Sequence, residues 1–309
     1  MSPPALQKVT IIGATGHIGQ HLISAFTSSP NFHLSIISRD HSSNSNSSPP
    51  NFPSDIPIHR ITGNYDTNEP QLIEILTGQD ILISAIAAQA IGQQNTIIDA
   101  AIKAGVKHFV PSEFGHDTRN KRAAKLLPGF ICAGKREIVQ YLRSKEGSGL
   151  RWTAFVTGPV FEMAVFQYLG YDLNNKQASL LDDGTHRWST TTLSAVALAV
   201  KNAMLIPDKT ANRYLFIESF NISQRDILAA LEDLTNAPWA VSYHGAEEGK
   251  RAALEKLLIG DYSGIPVLMR YVTCTEGCGG DYMEYEEGAN NLLSLPEESL
   301  SGALAGVVR

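Results

Sequence analysis

Over the first 160 residues, short runs of Ile, Val and Leu alternate with stretches whose apolar positions recur at helical spacing. The rhythm predicts strands near Lys8–Ile12, His33–Ser38, His59–Thr62, Ile81–Ser84, His108–Pro111 and Trp152–Val156. Between them it predicts helices near His17–Thr27, Glu69–Leu76, Gln93–Ala104 and Gly134–Ser144. Strands that alternate with helices fold as a parallel sheet with crossover helices on its faces. Several of these strands are almost wholly aliphatic, as strands covered on both faces are. The expected fold class is α/β, a doubly wound parallel sheet with a smaller mixed α/β domain beside it.

Two stretches break the rhythm. Residues 41–54, HSSNSNSSPPNFPS, are rich in Ser, Asn and Pro, which predicts a mobile loop rather than an element. Residues 115–130 are the second irregular insertion, polar and charged at first. Beyond Val160 the pattern changes. A short strand pair is predicted at Ala178–Leu181 and Arg187–Thr190, then a helix at Thr192–Met204 and a strand at Arg213–Ile217. Ser223 stands where it would cap the helix QRDILAALEDL. From Trp239 onward the chain reads as one strand and several helices. These patterns divide the chain into residues 1–160, a nucleotide-binding domain to which 187–218 returns, and 161–309, mainly a substrate-binding domain.

Composition acts mostly by exclusion. A chain of 309 residues with a formal net charge of −6 has no broad attraction for a phosphate backbone, so nucleic acid is not an expected partner. Three cysteines (Cys132, Cys274 and Cys278) are too few for a disulfide framework and lack zinc-site spacing; Cys274 and Cys278, four apart, read as packing residues. No apolar run precedes the first strand and no window approaches the ~20 apolar residues that span a membrane. A cytoplasmic address without membrane contact is expected. With neither an H-E-x-x-H helix nor a G-x-S-x-G elbow, a metal and a serine hydrolase are not expected.

The chemistry starts at Val9-Thr10-Ile11-Ile12-Gly13-Ala14-Thr15-Gly16-His17-Ile18-Gly19, a strand, a glycine turn and a helix start. In this Rossmann-type arrangement Gly13 permits the turn, Gly16 lets backbone approach a pyrophosphate, and Gly19 lets helix and strand pack closely. The phosphates would rest on N–H groups at the positive end of the helix. About 20 residues later, where an NAD site carries an acid for the ribose, the second strand ends in Ser38-Arg39-Asp40. A guanidinium at Arg39 suits the extra phosphate of NADP(H), which it can grip bidentately. Asp40 leaves an NAD reading open.

Two later strings complete a pattern: Val110-Pro111-Ser112-Glu113-Phe114-Gly115 and Gly134-Lys135-Arg136-Glu137-Ile138-Val139. Together with the glycine turn and Arg39, they resemble the isoflavone reductase-like family. That family includes phenylcoumaran benzylic ether reductases and sits among the NmrA-like, atypical short-chain dehydrogenases. The resemblance is good from Val9 to about Phe161 and thinner to about Asp233. It implies NADPH-dependent reduction, with the active-site lysine at Lys135, the phosphate-binding arginine at Arg39 and an aromatic near the nicotinamide at Phe161.

Lys135 stands out on spacing as well. With Ile138, Val139 and Leu142 it follows one helix face, the inward one. A lysine beside a low-dielectric pocket and a cationic nicotinamide is expected to titrate below its ordinary range and so to serve as general acid or base. A first-turn lysine snorkelling to water is the alternative. Ordinary short-chain dehydrogenases have a tyrosine four residues before the lysine; here that position is Ile131. Proton transfer would then lean on Lys135, with Ser112 or a water.

The candidate cofactor-binding set is Gly13, Thr15, Gly16, His17, Ile18, Gly19, Arg39, Ala85, Lys135 and Phe161. The candidate substrate walls are Ser112, Glu113, Phe114, Phe161, Met163 and Phe166, near the sheet's carboxyl edge where ligands bind in such folds. Glu113 could equally orient or cap its loop, and His116 and Asp117 read as solvated loop residues within reach of a substrate. The expected function is reduction of a small aromatic or carbonyl-bearing metabolite of secondary metabolism by hydride from NADPH. Two readings stand beside it: a dinucleotide-sensing regulator without chemistry, and a non-redox cyclase or isomerase that retains bound NADP. The partners expected are a small-molecule substrate and, if the chain assembles, a second copy in a homodimer.

Overall fold

The computed structural model describes residues 6–39, 52–129 and 131–308. Asp40 and most of the polar stretch 41–54 lie outside the described residues. The chain forms two compact units. The first takes residues within 1–113, 134–154 and 197–215; the second takes 114–133, 155–196 and 216–309.

The first unit is built on a seven-stranded sheet. Its strands are β1 (Lys8–Ile12), β2 (His33–Arg39), β3 (Ile58–Ile61), β4 (Ile81–Ser84), β5 (His108–Val110), β6 (Arg151–Val156) and, later in the chain, β10 (Arg213–Phe216). The order is β10-β6-β5-β4-β1-β2-β3, and every pairing from β3 through to β6 is parallel. Sequence order reverses beside β1, which lies between β2 and β4. A crevice for a ligand opens at such a switch point, outside the strands' carboxyl ends. The helices α1 (His17–Thr27), α2 (Glu69–Leu76) and α3 (Gln94–Ala104) fall within a residue of the predicted spans.

The aliphatic strands are buried as the pattern requires: Ile11, Ile12, Ile36, Ile37, Leu82 and Ile83 have no exposed surface. Helix α1 buries Leu22, Ile23 and Phe26 at helical spacing, and the Phe26 ring meets Phe32 edge-on at 4.9 Å. One polar relay runs through this core. Thr153 Oγ1 donates to the Thr210 carbonyl at 2.8 Å, so it must accept from His108 Nε2, also at 2.8 Å. That fixes a neutral His108 with its proton on Nε2, and burial pushes its pKa down to about 3.

The second unit contains two small sheets. One has the order β12-β8-β7, from β7 (Tyr171–Asp172), β8 (Gln177–Leu181) and β12 (Ala240–His244); the other pairs β9 (Arg187–Thr190) with β11 (Phe220–Ser223). The predicted pairing of the segments now seen as β8 and β9 does not form. β8 has both edges occupied, by β7 antiparallel and β12 parallel. Arg187 instead ties β9 to β11, donating from Nε to Asn221 Oδ1 at 2.9 Å. Residues 197–215 group with the first unit and β9 with the second. The Ser223 cap is present as a full capping box with Asp226, opening the helix Gln224–Thr235.

The insertion 114–133 groups with the second unit rather than with residues 1–113, and its polar residues His116, Asp117 and Thr118 are buried. Phe114 stacks on Phe155 with centroids 6.2 Å apart. His116 Nε2 meets Thr273 Oγ1 at 2.9 Å, and buried Asp117 holds Arg119, which also reaches Glu286 at 2.6 Å. These contacts make His116 and Asp117 packing residues of the second unit, against the expectation of a solvated loop. The three cysteines are buried and unbridged. Cys274 ends the helix Ile265–Cys274 and Cys278 lies beyond it, so the two do not share a helical turn. No helix among the described residues is long and apolar enough to cross a membrane.

Candidate functional site

The glycine turn leaves β1 at the switch point with each glycine under a different constraint. Gly13 has φ +85°, and a Cβ there would stand 2.4 Å from the Ala85 carbonyl oxygen. Ala85 is held that close because its N–H donates to the Ile12 carbonyl at 2.8 Å, extending the ladder past β4. At Gly19 a Cβ would meet the Gly13 carbonyl oxygen at 2.3 Å, so helix and turn can touch only without a side chain there. Gly16 is different. Its nearest neighbour to a Cβ is 3.5 Å away, so the chain itself does not demand a glycine at this position. Thr15, Gly16 and His17 are exposed around it, Ile18 is half-buried, and α1 begins with neither a side-chain cap nor an acidic residue in its first turn. Positive partial charge at that end is therefore left for an external anion.

Arg39, the last residue of β2, is exposed, and its guanidinium lies over the Tyr65 ring at 5.8 Å. Burial pushes the Tyr65 hydroxyl's pKa up, with the Arg39 charge pulling the other way. A guanidinium over a ring face at this distance is attracted to it while its N–H groups stay available. Tyr65 was missed in the sequence; its only signal was an aromatic residue just past β3.

The carboxyl end of β5 carries the second half of the arrangement. Ser112 is buried: its N–H donates to Gln94 Oε1 at 2.9 Å and its hydroxyl to the Ile86 carbonyl at 2.8 Å. Gln94, fully buried at the start of α3, is a positioning residue that sequence reasoning did not select. Glu113 follows, buried, and its backbone carbonyl accepts a short hydrogen bond from Lys135 Nζ. Lys135 is half-buried in α5 (Ala133–Ser144), which follows α4 (Lys121–Leu126), and Ile138, Val139 and Leu142 behind it are buried, as the spacing predicts. Its ammonium turns onto a backbone carbonyl.

The remaining candidates belong to the second unit. Phe114 has φ +23°, a strained conformation for a bulky residue. Phe161 has no exposed surface and meets Phe220 edge-on at 5.3 Å, so its ring is part of that unit's core. Met163 and Phe166 are half-buried, and Phe166 lines a cavity of about 610 Å³. The first unit thus brings together Gly13, Gly16, Gly19, Ala85, Arg39, Ser112, Glu113 and Lys135 on the carboxyl side of one sheet.

The sequence profile of the NmrA-like family matches residues 6–238. The chain belongs to the NmrA-like family. The match ends close to Asp233, where the resemblance read from the sequence also ends. Among NmrA-like relatives, the oxidoreductase aprR of Aspergillus flavus is 48% identical over 302 residues, 98% of this chain and 99% of its own. The isoflavone reductase homolog IRL of Zea mays is 29% identical over 155 residues, 49% of this chain and 48% of its own. A solved structure of AtPrR2 with NADP+ and (+)pinoresinol superposes with a TM-score of 0.75 at 17% identity, covering 98% of this chain and 99% of that one. That likeness is one of fold, and it extends through both units.

Proposed function

We propose that this NmrA-like chain is an NADPH-dependent reductase of a small aromatic or carbonyl-bearing metabolite, with Lys135 as its general acid or base. The observation that carries the reading is the hydrogen bond from Lys135 Nζ to the Glu113 carbonyl, which holds an ammonium at the carboxyl edge of the same sheet that carries the glycine turn and Arg39. A dinucleotide sensor has no use for an ammonium held there.

The residues fit the cofactor. Gly16 has room for an approaching pyrophosphate, the first turn of α1 lacks an internal anion, and Arg39 presents a guanidinium to a 2′-phosphate. When bound, NADPH supplies a hydride. The protein's own part is to hold the proton. Lys135 Nζ, fixed through Glu113, gives a proton as the ammonium to the oxygen that gains charge or, as the neutral amine, takes one from a phenol. Ser112, its hydroxyl committed as a donor to Ile86, can only accept at this site, which makes it an orienting group and leaves proton donation to the lysine.

Support for reduction comes from the 48%-identical relative, an oxidoreductase, and from the fold neighbour solved with NADP+ and pinoresinol. The test is titration of the purified chain with NADPH, followed by loss of nicotinamide absorbance with aromatic and carbonyl substrates. Binding with turnover supports the reading. Binding with no turnover across such a panel favours the dinucleotide-sensing regulator. Product formation without loss of NADPH favours a cyclase or isomerase that retains NADP.

A further inference from the structure

A different group in the second unit has no role in this reading. Arg270, in the helix Ile265–Cys274, lines the 610 Å³ cavity, a size that fits a small ligand. The side chain is half-buried, and its Nε and Nη2 atoms are buried with no hydrogen-bond partner among the described residues. Its Nη1 makes one long contact with Ser179 Oγ, at 3.3 Å. Among the described residues, no carboxylate pairs with it.

The groups closest in charge are neutral. Burial pushes the Tyr171 hydroxyl well up, and the Cys274 thiol up to about 12. Asp172, a carboxylate, lines the same cavity, but its oxygens face Asn175, accepting from its N–H at 3.1 Å and Nδ2 at 2.7 Å, and it makes no ion pair with Arg270 among the described residues. A guanidinium cannot shed its proton to escape this position. Burial of an unpaired charge is costly, so an uncompensated one beside a cavity points to a charge supplied from outside.

We propose that this cavity binds a small aromatic carboxylate, paired by Arg270. Nε and Nη2 share one edge of the guanidinium, and that edge is a fork matching the two oxygens of a carboxylate. It lies against Gly170, where a Cβ would stand 2.6 Å from Nη2, so pairing requires the guanidinium to turn toward the cavity. Part of the lining is suited to a flat apolar body (Phe166, Tyr168, Leu181, Val241, Pro266 and Val267), while Gln167, Gln177, Ser179 and Ser242 supply polar edges. The inference concerns binding alone. NADPH affinity and ligand affinity are separate readouts, so either this site or the reductase reading can fail without the other.

The experiment is calorimetric titration of the full chain with 2-naphthoate and with its neutral isostere, 2-naphthamide. The acid is expected to bind at least tenfold more tightly than the amide. Arg270→Gln should abolish that preference while NADPH affinity stays as in the wild type. Arg270→Lys, which keeps the charge and loses the fork, should weaken naphthoate at least threefold and serves where the glutamine variant does not fold. Equal binding of acid and amide by the wild type overturns the proposal, as does no binding of either at millimolar concentration. So does displacement of naphthoate by inorganic phosphate as effective as by naphthoate itself, since that describes a bare anion site.

Discussion

Lys135 gives its ammonium to the backbone carbonyl of Glu113, twenty-two residues earlier in the chain. The bond joins the first turn of α5 to the end of β5, two places that the sequence pattern connects only through a parallel sheet. It fixes Nζ through the main chain, so substitution of the Glu113 side chain should leave the lysine's position intact. Glu113→Gln is expected to retain NADPH binding and most of the turnover, whereas Lys135→Met should retain binding within a few-fold and lose about 10²–10⁴-fold in kcat. Steady-state kinetics on the two variants checks both halves.

The glycine turn gives two opposite expectations at neighbouring positions. Gly19→Ala drives a Cβ against the Gly13 carbonyl oxygen, backbone against backbone, and should cost about 1–3 kcal/mol or more in stability. Gly16→Val meets no such wall, so the fold should survive while NADPH binding is lost. Thermal unfolding and NADPH titration of both variants separate them; a destabilised Gly16→Val that still binds would misassign the turn.

Arg39 should set the choice of nucleotide. NADPH is expected to bind at least tenfold more tightly than NADH, about 1.4 kcal/mol, with Arg39→Ala removing most of the difference. Tyr65→Leu, which takes away the ring beneath the guanidinium, should reduce the preference without abolishing it. Calorimetry with both nucleotides decides it. Equal affinities in the wild type contradict the assignment.

His108 predicts a pH dependence of stability. The unfolded histidine takes up a proton near its ordinary 6.5, while the folded one, buried and donating to Thr153, stays neutral to about 3. Between those values the unfolded chain binds more protons, so stability falls as the pH is lowered below 6.5. At pH 5 this amounts to up to about 2 kcal/mol. His108→Gln, which keeps a donor toward Thr153 and cannot titrate, should lose less stability between pH 7 and 5 in urea unfolding. Parallel losses in the two proteins would remove His108 as the cause.

Most of the first unit was legible in the sequence, because its strands are aliphatic runs and its helices carry one apolar face. The glycines that the fold cannot replace, Gly13 and Gly19, were legible for the same mechanical reason. What the sequence did not reveal depends on partners far apart in the chain. β8 and β9 are adjacent in sequence, yet β8 pairs with its predecessor β7 and with the distant β12, and β9 pairs with β11. Gln94 gave no signal, and Tyr65 only that of an aromatic just past β3, until Ser112 and Arg39 were seen against them. Phe161 was named from the family resemblance and from its place after β6; its ring lies in the second unit's core, packed on Phe220.

The central claim is hydride transfer with the proton handled by Lys135, and deuterium on the reactive carbon of NADPH tests it most directly. With the true substrate, the wild type is expected to pass one deuterium to product for each NADPH consumed. Lys135→Met should make the same labelled product at a rate lowered in the chemical step. Product that forms without deuterium, or full activity in Lys135→Met, would contradict the account.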